Sequence, residues 1–136
     1  MVKRHALLSP HEVSPQEPVA RYLSQSGHFS QEKRRVKPHA FLPEPSRLAT
    51  SVFRTHRLTE SEIWALGETY VAGPTGRTLH GRADLLVSQV ETLGLRLNPD
   101  NVPERHAEIV GWPQAKSEQL SLAQELAVVA LLRLRP

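Results

Sequence analysis

Cysteine is absent from this chain of 136 residues, so disulfides and thiolate metal sites are excluded. That composition fits a reducing compartment. Aromatic residues make up only 5%, too few for a nucleic-acid surface built from successive stacking rings. No apolar run reaches the ~18 residues that a membrane-spanning helix needs. The opening stretch MVKRHALLSPHEV is basic, but its apolar part, Ala-Leu-Leu, is too short for a secretory leader. A soluble, cytoplasmic protein with no membrane partner is expected. The phosphate-loop, dinucleotide-binding, zinc-protease and EF-hand patterns are all missing, and so is the G-x-S-x-G elbow. The piece GPTGRT is too short for a phosphate loop and lacks its lysine. His5 and His11 are the closest pair of histidines with ligand character, and nothing at metal spacing accompanies them. Neither a cofactor nor a metal is therefore expected.

What the chain does have is an uneven charge distribution. The net charge is +3, but residues 1–58 hold ten Lys/Arg against four Asp/Glu, while residues 59–136 hold seven against ten. Five of the seven histidines also fall in the first part. Such a split marks a basic surface for an anionic partner, or two halves that attract each other within one domain. The densest basic segment is KRRVKPH, in which Lys33, Arg34, Arg35 and Lys37 are spaced to neutralise successive phosphates. Phe29 and Phe41 flank it as stacking rings or core anchors.

The length fits one domain. Residues 1–18 carry three prolines and little apolar periodicity, and read as an extended arm, leaving residues 19–136 as a single α+β domain. PVARYLSQS has Val19, Tyr22 and Leu23 on one side of a short helix. A proline-punctuated loop follows, with one extended piece near Val36, and TSVFRT is a strand with Val52 and Arg54 facing one way and Ser51 and Phe53 the other. In LTESEIWALGETYVAG, Thr59 and Glu62 form a capping box, Leu58 and Ile63 a hydrophobic staple, and Gly73-Pro74 the stop. RADLLVSQVETLG reads as a second helix through Leu86, Val90 and Leu93, with Gly94 closing it. LRL is a brief strand and NPDN a turn. RHAEIV alternates, with His106, Glu108 and Val110 on one face. KSEQLSLAQELAVVALLRL gives a third helix lined by Leu120, Ala123, Ala127 and Ala130, with LLRLRP as a last strand. The expected fold is α+β: about three helices packed on a small mixed or antiparallel sheet of three to four short strands.

Three functions follow from these residues. The first is a domain that binds an anionic partner, nucleic acid or nucleotide, through its basic N-terminal half. The second is a protein-interaction subunit of a larger complex, docking through the arm and an exposed Trp64 or Trp112. The third is a metal-independent nuclease or phosphodiesterase. In it two imidazoles, His39 and His106, exchange protons while Arg54 holds the charge on phosphorus. His106 has a plainer alternative, a half-buried ring held by a backbone group or a carboxylate.

Overall fold

The computed structural model describes residues 12–136. A six-stranded, wholly antiparallel sheet runs in the order β6-β7-β4-β1-β5-β8, formed by β1 (Pro18–Leu23), β4 (Thr50–Arg54), β5 (Gly81–Leu86), β6 (Arg96–Pro99), β7 (His106–Val110) and β8 (Leu131–Leu134). A separate hairpin pairs β2 (Phe29–Ser30) with β3 (Arg35–Val36). The helices are α1 (Glu60–Gly67), α2 (Gly73–Thr75), α3 (Val87–Glu91) and α4 (Lys116–Val129). A π-helical turn, Glu68–Ala72, joins α1 to α2. The expectation of three helices on three or four strands is thus corrected. Among the described residues eight strands dominate, and only α1 and α4 are helices of seven residues or more.

Both faces of the sheet are covered. On one face Ala20, Tyr22 and Phe53 pack against Ile63, Trp64 and Leu66 of α1. On the other, Val19, Leu23, Val52, Ala83, Leu85 and Ile109 meet Val87 and Val90 of α3 and Ala123, Leu126 and Ala127 of α4. Two segments differ from the sequence reading. Residues 19–23, expected to be helical, form β1, whose apolar residues fall on both faces, and over so short a stretch periodicity does not separate strand from helix. Residues 82–86, expected to open the second helix, belong to β5, in which Arg82 and Asp84 alternate with Ala83 and Leu85. Arg82 in β5 is only 2% exposed yet looks like a solvent residue in the sequence. Its guanidinium lies 4.6 Å from the Trp64 ring centroid and is bonded by the carboxylates of Glu60 and Asp84.

The capping box at α1 is present: Thr59 Oγ1 accepts from the Glu62 amide at 3.2 Å, and Glu62 Oε1 accepts from the Thr59 amide at 2.8 Å. The helical path runs past Gly73-Pro74 and stops at Gly76, which takes the left-handed conformation with φ 68°. In α4 the buried stripe is Gln119, Ala123, Leu126 and Ala127, while Leu120 turns outward. Trp64 and Trp112 are both buried, and the Trp112 indole N–H donates to the Ile109 carbonyl at 3.0 Å. Of the expected N-terminal arm, residues 1–11 lie outside the described residues, His5 and His11 among them. The rest is tied down: Glu17 is buried, and Arg54 donates to both its carboxylate oxygens at 2.7 and 2.8 Å. Among the described residues no helix is long and apolar enough to cross a membrane.

Candidate functional site

Beyond Ala20, β1 and β4 stop pairing, and the side chain of Arg21 takes the place of the lost ladder bonds. Its Nε donates to the Ala40 carbonyl at 2.7 Å and its Nη1 to the Ser51 carbonyl at 2.9 Å. A cavity of about 450 Å³ opens there, walled by Arg21, His28, His39, Ser51, Glu108, Arg47 and the proline-bearing loop Leu42–Pro45.

Several charges in this cavity are already matched. Arg47 forms an ion pair with Glu108, and the Glu44 carboxylate accepts from the amide and hydroxyl of Ser46. Arg21 differs. Among the described residues it pairs with no carboxylate, and burial lowers its pKa with no acid to offset the cost. Its Nη2 has no acceptor in the described protein. Since no buried side-chain N or O atom among the described residues goes without a partner, Nη2 is not fully buried. The His28 pKa is lowered by desolvation and then by the positive charges of Arg21, His39 and Arg77. A guanidinium and two imidazoles therefore share this wall with the Glu108 carboxylate, which Arg47 neutralises, and the exposed carboxylate of Glu44, while Arg21 itself has no carboxylate partner among the described residues.

The basic hairpin rises from this wall. The Lys37 amide donates to the His28 carbonyl at 2.9 Å, so the two ends of the hairpin sit beside His28 and His39. Lys33, Arg34, Arg35 and Lys37 are all exposed on it, and Val36 anchors it in the core.

A second constellation lies on the α1 face of the sheet. Ser51 on β4 and His106 on β7 point to the same side, and the Ser51 Oγ lies 2.6 Å from His106 Nε2. On the other edge of the ring, His106 Nδ1 is 2.7 Å from Asp100 Oδ1. The β6–β7 turn places Asp100: the Asn101 amide bonds the His106 carbonyl at 2.9 Å, and the His106 amide bonds the Pro103 carbonyl at 3.0 Å. Burial pushes the Asp100 pKa up, but hydrogen bonds from His106 and the Val102 amide outweigh it, leaving the carboxyl below its ordinary range. An ionised carboxylate can only accept, so Nδ1 carries the proton. In the neutral ring Nε2 then accepts from the Ser51 hydroxyl. Phe53 meets the His106 ring edge-on at 5.4 Å. A second cavity, of about 600 Å³, lies between α1 and the turn, walled by Glu62, Tyr70, Glu104 and Arg105 among others, and holds no such chain of groups.

The residues expected to act together are thus divided. His39 lines the first cavity. His106 reaches that cavity through Ser51. Arg54 is buried against Glu17 and the Glu12 carbonyl and is absent from the cavity wall. Sequence reasoning missed Arg21, His28, Ser51 and Asp100. The alternation of the two strands did place Ser51 and His106 on definite faces, but the pairing of β4 with β7 that makes those faces the same is long-range. No protein-family model, curated protein or solved structure matches this chain.

Proposed function

We propose that the domain binds an anionic partner, nucleic acid or nucleotide, with a phosphate-bearing group in the Arg21 cavity and further phosphates along the hairpin. The observation that carries this reading is Arg21, a half-buried guanidinium with an Nη2 that is not fully buried and no carboxylate partner among the described residues. Its charge in a partly desolvated wall favours an incoming anion more than a surface arginine does. His28 and His39 extend the same field, and Lys33, Arg34, Arg35 and Lys37 supply exposed cations at the rim. Because the free site disfavours a proton on His28, an anion bound beside it favours one. Binding therefore takes up a proton, and affinity rises as pH falls from neutrality toward the range in which His28 titrates.

The test is titration of heparin and of labelled single-stranded RNA at low salt. Binding that weakens steeply with salt, and that drops when the four hairpin cations become alanine, supports the reading. Failure of the wild type to bind either probe at low salt overturns it. A second reading, a protein-interaction subunit, has different support. Val128, Val129 and Leu131 are exposed where α4 meets β8, which among the described residues is an edge strand of the sheet, bordered by apolar side chains.

A further inference from the structure

We propose that Ser51 is the nucleophile of an acyl-transfer site, an esterase, with His106 as its general base and Asp100 as the residue that positions the imidazole. The chain of contacts is 2.6 Å from Ser51 Oγ to Nε2 and 2.7 Å from Nδ1 to Asp100 Oδ1, both within hydrogen-bonding reach. A nucleophilic hydroxyl needs a base at that distance, and the base needs a third group to hold its tautomer. Ser51 also lines the cavity, so the hydroxyl-bearing residue borders space that a substrate can occupy, while His106 lies behind it, buried.

The surroundings suit the chemistry. The Glu108 carboxylate stands across from Ser51 on β7, and alone it would repel a developing oxyanion; Arg47 neutralises it. Arg21 bonds the Ser51 carbonyl through Nη1, which fixes the backbone that carries the nucleophile. The turn that carries Asp100 is held in an unfavourable conformation, with Asn101 at φ 57° and Arg105 at φ 70°. Strained non-glycine backbone of this kind clusters where geometry serves a site.

In the reaction, Ser51 Oγ adds to the ester carbonyl carbon as its proton passes to His106 Nε2. The carbon–oxygen bond to the leaving alcohol then breaks, and that oxygen takes the proton back from Nε2. The resulting acyl-serine is opened by water, which gives one proton to Nε2 as its oxygen bonds the carbonyl carbon. Ser51 leaves with that proton, and a carboxylic acid is released. Water is the only co-reactant. The assignment of the nucleophile stands independently of the anion-binding reading. One part rests on that reading, namely that the ester carries a negative group held by His28, His39 and the hairpin cations.

The experiment is labelling of the full chain with a fluorophosphonate probe, followed by peptide mass spectrometry, alongside turnover of p-nitrophenyl acetate. The expected result is one dominant adduct, on Ser51. It should disappear in Ser51→Ala and slow about 100-fold or more in His106→Gln and Asp100→Asn, with Asp100→Glu restoring part of the rate. Partial rescue by glutamate separates positioning of the ring from mere packing. No adduct on Ser51 in folded wild-type protein, under conditions that label a control serine hydrolase, overturns the proposal, and so does an undiminished adduct in His106→Gln. Labelling of Ser51 without heparin or RNA binding leaves the nucleophile standing and removes the anionic substrate group. Binding without labelling does the reverse.

Discussion

Replacing Arg54 with methionine decides whether this arginine is structural. The substitution keeps the length of the stem and removes two bonds to the Glu17 carboxylate, at 2.7 and 2.8 Å, and one to the Glu12 carbonyl at 2.7 Å. Both side chains of the pair are only 5% exposed, so Glu17 is left as a buried charge beside the His56 imidazole, at 3.4 Å, whose pKa burial lowers. Breaking one side of such a pair costs about 3–5 kcal/mol. The chain has a cheaper escape, which is to release residues 12–17 and let Glu17 reach water. That escape sacrifices the bond from the Val87 amide to the Glu17 carbonyl and that from the Ser88 amide to the Pro15 carbonyl, each worth about 1 kcal/mol, together with packing around Val13. The expected loss is therefore about 2–4 kcal/mol, read from urea unfolding. Glu17→Gln combined with Arg54→Met should recover part of it, because the stranded charge is gone. A loss below about 0.5 kcal/mol with an intact fold would refute the reasoning and return Arg54 to the list of residues available for chemistry.

Thr59→Ala should cost about 1 kcal/mol in thermal or urea unfolding through loss of the Glu62 amide's acceptor, and an unchanged midpoint would mean the cap contributes nothing. Gly67→Ala sets two effects against each other. Helix propensity gains up to about 1 kcal/mol, but the new Cβ would stand 2.6 Å from two ring carbons of Tyr22, which is buried and anchored by its hydroxyl to the Ile63 carbonyl. Overpacking at about 1–3 kcal/mol wins, so a net destabilisation is expected and a higher melting temperature would contradict it. Stability should also fall on acidification below about pH 4. The Glu60 carboxyl is held below its ordinary range by its hydrogen bonds from Arg82, and that of Asp100 by His106 and Val102 against the upward push of burial. A group whose folded pKa is depressed stabilises the fold above its unfolded value, and the contribution is lost as pH falls through the folded one. Unfolding of Glu60→Gln with Asp100→Asn should therefore depend less on pH on the acid side than the wild type, and parallel curves would refute the assignment.

Local chemistry was readable wherever it acts over a few residues. The capping box needs only Thr59 and Glu62 three positions apart, and the alternation of RHAEIV needs only a period of two, so both were legible. The basic hairpin was legible as charge, and its place on the fold was not. The His28–Lys37 bond closes the hairpin locally, but the core contacts of Val36 that set it beside a cavity join elements distant in the chain.

By itself, the sequence determined which groups are available: no thiol, a basic first half, a helix capped at Thr59, and strands whose faces are set by the pleat. Only the tertiary structure decided that residues 19–23 and 81–86 are strands, because each segment is too short for its period to decide and it is their pairing with each other that makes them strands. It alone brought Asp100, His106 and Ser51 into one hydrogen-bonded chain across β7 and β4. It also left Arg21 bonded to two carbonyls and to no carboxylate among the described residues. Sheet register and counter-ion pairing join residues tens of positions apart, and no local spacing encodes which of them will meet.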